Sequence, residues 1–171
     1  MNLVLRELRP GDDVARFSLG DKIFVPLKIF LKKHAQQYQS QNICKTYVLV
    51  EKGEIRVFGY VSLVCSQIEF AGKDLIPGFP YEGAPCLKIV RLAIDKSLQG
   101  NGLGNGLVNW CISVASQRIM PHVGCRFLVV DSKPASIGFY KDRGFTLLDT
   151  QKNKDSKCPM LFMDLNKISV T

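Results

Sequence analysis

Residues 90–110 read VRLAIDKSLQGNGLGNGLVNW, and this stretch decides the fold prediction. The apolar run over 87–94 predicts a strand, and the apolar spacing that follows predicts a helix over 103–118. Between them lies the glycine-rich segment Gln99–Gly104. Glycine lets backbone N–H groups turn inward without a Cβ atom in the way, and the start of the next helix adds its positive dipole end. The stretch therefore predicts a loop that holds a phosphate or pyrophosphate.

Three kinds of glycine loop compete for this segment. A Walker A loop needs Lys-Ser or Lys-Thr after its glycines, and neither pair is present here. A dinucleotide-binding fingerprint needs GxGxxG in the first strand–helix unit, whereas these glycines are spaced two apart in the second half of the chain. A plain turn is the third alternative, although glycine in a helix costs about 1 kcal/mol relative to alanine. The pattern that remains is Gln-x-x-Gly-x-Gly, at Gln99, Gly102 and Gly104.

The rest of the chain mixes strand-like and helix-like stretches without strict alternation. Gly11–Asp13 predicts a turn and a helix start, and Gly144 predicts the end of a short helix. We therefore predict an α/β fold, with a mixed sheet of six or seven strands and helices on both faces. The predicted strands are 3–8, 46–50, 55–67, 87–94, 126–130, 145–149 and 160–165, the further helices are 26–38 and 134–143, and the long loops are 69–85 and 152–157.

The composition is that of a soluble globular protein. Of 171 residues, 46% are hydrophobic and 22% are charged, so we expect a single domain over 1–171. No apolar run approaches the roughly 20 residues of a membrane helix, and residues 1–13 lack a signal-peptide core. We therefore expect a cytoplasmic protein with no membrane association. The net charge of +8 attracts polyanions such as coenzyme A and RNA, but it also fits a surface that only keeps the protein soluble.

The cysteines and histidines show no metal-ligand spacing, and no CxxC pair occurs. Most of the cysteines lie in apolar stretches, which is typical of reduced, buried thiols. A metal site or a thiol nucleophile is the alternative, and we expect neither. The residues concerned are Cys44, Cys65, Cys86, Cys111, Cys125, Cys158, His34 and His122.

A second motif, VVDSKPASIGFYKDRGFTLL, follows at 129–148. Together with the glycine loop it resembles the GNAT acyltransferase superfamily over 85–150, with motif residues Ala135, Phe139, Tyr140, Gly144 and Phe145. The resemblance implies the GNAT fold, acetyl-CoA as acyl donor, and a strand whose backbone pairs with the pantetheine arm. It implies that the cofactor-binding residues are Leu92, Ala93, Ile94, Gln99, Gly100, Asn101, Gly102, Leu103, Gly104, Ser136 and Phe139.

Tyr140 is the candidate catalytic residue. When an amine attacks the thioester, the departing coenzyme A thiolate needs a proton or a hydrogen bond. A phenol, with a reference pKa near 10, keeps its proton at neutral pH and can donate it. Packing against the cofactor is the alternative role. The sequence specifies no general base, although Asp95, Glu82 and Glu69 are candidates. The lack of a specified base weakly favours an α-amine as acceptor, because its reference pKa is only about 8 and part of it is already neutral.

A closer resemblance is to the GNAT toxins of toxin–antitoxin modules, carried by residues 91–108 and by FLKKHAQQYQSQNICKTYVLVEKGEIRVFGYVSL at 30–63. It implies acetylation of the α-amine on aminoacyl-tRNA, a homodimer, and a ribbon-helix-helix antitoxin as partner. The alternatives are a housekeeping enzyme that acetylates a small amine, an antibiotic or a protein N-terminus, and a non-catalytic acyl-CoA- or RNA-binding domain. Candidate contacts to RNA phosphates are Lys28, Lys32, Lys33, Lys45, Arg91, Lys96, Lys141 and Arg143.

Overall fold

The computed structural model describes residues 1–69 and 78–168. Within them the chain forms one sheet of seven strands in the order β1-β2-β3-β4-β5-β7-β6. Strands β4 and β5 pair in parallel, and the pairs β1–β2, β2–β3, β5–β7 and β6–β7 are antiparallel. The strands are β1 Leu3–Glu7, β2 Lys45–Glu51, β3 Val57–Glu69, β4 Gly83–Ile94, β5 Phe127–Asp131, β6 Thr146–Leu147 and β7 Met160–Asp164.

The helices are short and follow the predicted stretches, with differences described below. They are α1 Val25–Lys33, α2 Ala35–Ser40, α3 Leu103–Ser113, α4 Ile137–Lys141 and α5 Gln151–Lys154, with 3₁₀ turns at Lys22–Phe24, Lys96–Leu98, Pro134–Ser136 and Leu165–Lys167. The mixed sheet of seven strands confirms the predicted fold class. In the described part of the chain, no helix has both the length and the apolar character needed to cross a membrane.

The chain divides into two compact units. The first contains residues 1–64 and 90–109, and its core joins α1 and α2 to β2 and β3 through an aromatic cluster. In that cluster the fully buried Tyr60 ring packs edge-on against Phe17 and stacks on Phe30, while its hydroxyl donates to the Leu27 carbonyl at 2.8 Å. These contacts fix α1 against the sheet. The single helix predicted over 26–38 is interrupted at His34, whose backbone leaves helical geometry.

The second unit contains residues 65–89 and 110–171. Its central strand β5 has four buried residues in succession, which is typical of a parallel strand covered on both faces. Phe127 and Val129 pack there with Ile68 and Ala84. The predicted loop over 152–157 is partly helical, because the Thr150 hydroxyl accepts the Asn153 N–H and caps α5.

Other boundaries also differ from the prediction. Gly11–Asp13 begins no helix: the Asp12 carboxylate pairs with Arg6 at 2.6 Å, and the backbone of Asp13 forms an isolated parallel β-bridge with that of Arg56. In the helix predicted over 103–118, the α-helical part ends at Ser113, and π-helical turns follow over Val114–Ile119. Of the loop predicted over 69–85, residues 70–77 lie outside the described residues, and 83–85 already belong to β4.

Candidate active site

The C-terminal part of β4 extends beyond its pairing with β5. Pairing with β5 runs from Cys86–Phe127 to Ile89–Val130 and ends there. Beyond that point, no described residue of β5 pairs with 90–94, the segment that contains the predicted pantetheine strand. An unpaired strand edge presents backbone N–H and C=O groups that an amide-containing chain can bind.

The glycine loop leaves β4 and enters α3 with its backbone donors free. Gly100 and Gly102 have φ angles of 81° and 75°, the left-handed region that glycine adopts without strain. Among the described residues, no group accepts a hydrogen bond from the N–H groups of 100–104. A Cβ atom at either glycine would meet no protein atom within 4 Å. Consecutive free donors at the positive end of a helix have the arrangement that binds an anion, so this segment is a candidate anion-binding loop.

Two loop side chains bind the loop itself. Gln99 donates its amide Nε2 to the Ile94 carbonyl at 2.9 Å, which closes the turn after β4. Asn101 donates Nδ2 to the carbonyls of Leu98 and Gln99 at 3.1 and 3.3 Å. Both residues are predicted to bind the cofactor, and the backbone N–H of Asn101, rather than these amide donors, remains free to do so. Leu103 and Gly104 start α3, where first-turn N–H groups point at the loop opening.

Asp95, one of the three candidate bases, is unsuited to that role. Its carboxylate is 4% exposed and accepts hydrogen bonds from the Ser18 N–H and from both the N–H and the hydroxyl of Ser97. Burial opposes ionisation, but these hydrogen bonds outweigh it and hold the pKa of Asp95 below its ordinary value. A carboxylate with a lowered pKa and fully engaged oxygens is a poor proton acceptor. Glu69 and Glu82 are exposed.

Tyr140 lies on α4 in the second unit and is only 6% exposed. Its ring packs edge-on against Phe139 and Phe145, with centroids 5.0 and 5.5 Å away. Burial, together with the nearby thiol of Cys111, raises the pKa of Tyr140 well above its ordinary value, while the cation of Arg143 opposes this. The Tyr140 hydroxyl makes no hydrogen bond within the described chain. It is therefore a protonated donor without an acceptor among the residues that the structure describes.

Arg143 is a residue that sequence reasoning placed only among possible phosphate contacts. Its guanidinium carbon lies 3.6 Å from the centroid of the Phe139 ring, and Nη1 donates to the Phe139 carbonyl at 2.5 Å. Nε is buried and has no partner in the described residues. The guanidinium therefore covers one face of the Phe139 ring, and the Tyr140 ring packs against the same side chain. Ser136 precedes α4 and is half-buried.

Some of the candidate RNA-contact side chains contact other residues of the protein, and the others make no hydrogen bond or ion pair in the described chain. Lys32 donates to the Ala15 carbonyl, and the half-buried Arg91 lies over the Phe30 ring with 3.9 Å between guanidinium carbon and centroid. The stem of Lys96 lies against Gly20. The side chains of the other residues, apart from Arg143, make no hydrogen bond or ion pair within the described chain: Lys28, Lys33, Lys45 and Lys141.

The two buried phenols predict an alkaline limit on stability. Burial raises the pKa of both Tyr60 and Tyr140, so above pH 10 the native chain binds protons that the unfolded chain has released. By linkage, the free energy of unfolding then falls as pH rises. In a titration followed by phenolate absorbance and circular dichroism, both phenols should ionise only as native structure is lost. Y60F and Y140F should each remove one tyrosine from that step, and ionisation of either phenol with the native signal intact would contradict the prediction.

Comparison with known proteins places this arrangement in a family. The family model for the Acetyltransferase (GNAT) family matches residues 21–145. The structure of AtaT complexed with acetyl-methionyl-tRNAfMet is 29% identical, with a TM-score of 0.82 and 96% of each chain covered. AtaTR bound with AcCoA is 30% identical at TM-score 0.79, covering 96% of this chain and 95% of that one. A tyrosine-to-phenylalanine variant of KacT is 28% identical at TM-score 0.84, covering 97% and 96%. The chain therefore belongs to the GNAT family of acetyl-CoA-dependent acetyltransferases, as its two sequence motifs predicted.

Proposed function

We propose that this chain transfers the acetyl group of acetyl-CoA to the α-amine of an aminoacyl-tRNA and so blocks translation as the toxin of a toxin–antitoxin module. The observation that carries the proposal is the full-length likeness to AtaT, which was solved with acetyl-methionyl-tRNAfMet. An acetylated aminoacyl-tRNA is the product of the reaction proposed here. The likeness covers 96% of both chains, so it includes the elements outside the cofactor motif.

The cofactor role is assigned to β4 and the glycine loop. The free N–H groups of 100–104 fit a pyrophosphate, which carries several acceptor oxygens and negative charge. The unpaired edge of Leu92, Ala93 and Ile94 fits the amides of a pantetheine arm. When bound, acetyl-CoA would supply the acetyl thioester, and coenzyme A would be the leaving group. The side chain of Ser136 and the uncovered part of Phe139 are proposed as further contacts to it.

The catalytic role is assigned to the Tyr140 hydroxyl. Its proton stays on Oη across the neutral pH range, because burial raises the pKa of the phenol. Burial also raises the pKa of the neighbouring Cys111 thiol to about 12, so a thiolate is costly in such surroundings. A departing thiolate there gains from a hydrogen bond or a proton donated by Oη. Tyr140 is thus proposed to stabilise the leaving group rather than to activate the amine.

The amine is proposed to need no dedicated base. Asp95 is occupied by three hydrogen bonds and has a lowered pKa. An α-amine, with a reference pKa near 8, is partly neutral at physiological pH, whereas a lysine side chain, near 10.4, is almost entirely protonated. This difference supports an α-amine as acceptor over a lysine side chain.

The RNA contact is proposed to use the cationic surface of the first unit. Lys28 and Lys33 belong to α1, Lys45 starts β2, and no acidic residue occurs between 22 and 50. Contacts of this kind position a nucleic acid through its phosphates and weaken as salt rises. The net charge of +8 acts in the same direction.

The partners proposed are a second copy of the chain and a ribbon-helix-helix antitoxin. AtaT was solved with the C-terminus of the antitoxin AtaR, at 28% identity and a TM-score of 0.80 to this chain. A toxin that acts on charged tRNA works where translation takes place, so a cytoplasmic location belongs to the same proposal.

The proposal is tested by offering labelled acetyl-CoA to charged tRNAs, uncharged tRNAs and small amines in parallel. We expect label on one or more aminoacyl-tRNAs, none on uncharged tRNA, and growth arrest when the chain is expressed alone in bacteria. Label only on small amines or protein N-termini would replace the acceptor with that of a housekeeping enzyme. Acetyl-CoA binding without any transfer would indicate a non-catalytic domain.

Charge variants separate an RNA acceptor from a small amine. Replacing both Lys28 and Lys33 by glutamine should raise the KM for aminoacyl-tRNA several-fold and flatten its salt dependence. The KM for acetyl-CoA should not change. Lys52→Gln, which removes a charge from the exposed hairpin between β2 and β3, is the matched control. Equal effects of the two changes would reject the assigned RNA surface.

A further inference from the structure

The turn between β4 and the glycine loop is organised around one buried carboxylate. One oxygen of Asp95 accepts the Ser18 N–H at 2.8 Å. The other accepts the Ser97 N–H at 3.0 Å and the Ser97 hydroxyl at 2.6 Å. Ser18 precedes Asp95 by 77 positions, so this carboxylate ties the segment before α1 to the turn that enters the loop.

Further hydrogen bonds hold the same junction. The Lys96 N–H donates to the Ser18 carbonyl at 2.7 Å, so Ser18 is bound through both its backbone groups. Gln99 Nε2 donates to the Ile94 carbonyl at 2.9 Å, from the opposite end of the turn. The 3₁₀ turn Lys96–Leu98, with Asp95 as its N-cap, is therefore fixed at both ends. The free donors of the loop begin two residues after this turn, at Gly100.

We propose that Asp95 is a positioning residue for acetyl-CoA, whose carboxylate holds the turn so that the backbone N–H groups of 100–104 converge on one anion. The proposal rests on the cofactor role assigned to that loop. Three donors converge on this carboxylate, and an amide in its place presents an NH₂ group to at least one of them. The Lys96 N–H still binds the Ser18 carbonyl, but the carboxylate no longer joins Ser18 to Ser97, so the loop loses part of its fixed approach.

The test replaces Asp95 with asparagine and measures acetyl-CoA binding by calorimetry alongside kinetics. Hydrogen bonds to charged groups are among the strongest, so we expect the Kd to rise about tenfold. The rise in KM for acetyl-CoA should exceed the fall in kcat, whereas loss of a general base would lower kcat and leave Kd unchanged. Hydrogen exchange at the Ser18 amide should accelerate in D95N.

Asp12→Asn is the matched control. Asp12 also belongs to the first unit, its side chain is 2% exposed, and it accepts from Arg6 at 2.6 Å and from the Arg9 N–H at 2.8 Å. D12N should lower the melting temperature but bind acetyl-CoA as wild type does. S97A removes one of the three donors and leaves the charge in place, and it should raise the Kd for acetyl-CoA about threefold. If D95N does not fold, the Kd of S97A tests the positioning role instead.

The outcomes separate the two claims. If the wild-type chain binds no acetyl-CoA, the proposed function fails. If it binds and D95N matches either wild type or D12N in Kd, the positioning role is overturned. If D95N is unfolded and S97A binds as tightly as wild type, the positioning role is likewise overturned.

Discussion

Tyr140→Phe is expected to lower acetyl transfer by about 100-fold or more, the usual contribution of a positioned proton donor. The change removes only the hydroxyl, which makes no hydrogen bond within the described chain, and leaves the ring packed against Phe139 and Phe145. The melting temperature and the Kd for acetyl-CoA should therefore stay close to wild type. Single-turnover acetyl transfer with saturating acetyl-CoA is the measurement that isolates the chemical step.

Tyr60→Phe is the control, because Tyr60 is also a buried tyrosine whose pKa is raised by burial. Its hydroxyl donates to the Leu27 carbonyl at 2.8 Å, so Y60F removes that hydrogen bond. We expect a loss of about 1–2 kcal/mol in the free energy of unfolding, with transfer by the folded protein retained. The two variants should thus show opposite effects on stability and activity. Turnover of Y140F within about threefold of wild type would reject the assigned acid role.

The fold and the glycine loop were predictable because their determinants are local. The loop occupies six consecutive residues, and the strand before it and the helix after it show their own periodicities. The structure places Gly100 and Gly102 at positive φ, which is the conformational reason for glycine at these positions. The second motif was equally local, since Tyr140 and Gly144 both follow from the pattern of α4 and its end.

What the sequence did not reveal depends on contacts between distant positions. The backbone of Ser18 meets Asp95 across 77 positions, and nothing in either residue's neighbourhood indicates that partner. From the sequence, Asp95 is therefore a candidate base, and its three hydrogen-bond donors in the folded chain are what argue against that role. The break at His34 has a similar origin, because apolar spacing describes which face of a helix is buried but not where tertiary packing ends it.

Arg143 shows the same limit at the second motif. Its charge suggested a phosphate contact, but its guanidinium stacks on Phe139 and its Nε is buried. An arginine four positions after a phenylalanine on a helical segment has the spacing for such a contact, so this signal was present. Charge alone did not distinguish an arginine that faces solvent from one that covers a ring.

Gly102→Ala should weaken acetyl-CoA binding at least tenfold, which tests whether the loop binds the pyrophosphate. Gly102 has a φ of 75°, where alanine is strained by about 1–2 kcal/mol. The variant loop either keeps the positive φ, with a methyl group projecting beside the free N–H groups, or relaxes its backbone and turns those N–H groups away. Either response impairs an anion site made of consecutive N–H groups. Calorimetric titration with acetyl-CoA gives the measurement.

Gly53→Ala distinguishes loss of the site from loss of stability. Gly53 also has a positive φ, 89°, and its added methyl group would likewise meet no protein atom within 4 Å, but it lies in the hairpin between β2 and β3. The two variants should lose similar amounts of unfolding free energy, since the backbone strain is alike. Only G102A should lose affinity. Equal affinities would mean that the alternate glycines serve the strand-to-helix turn alone, whereas a selective loss in G102A assigns the pyrophosphate to the loop independently of which amine receives the acetyl group.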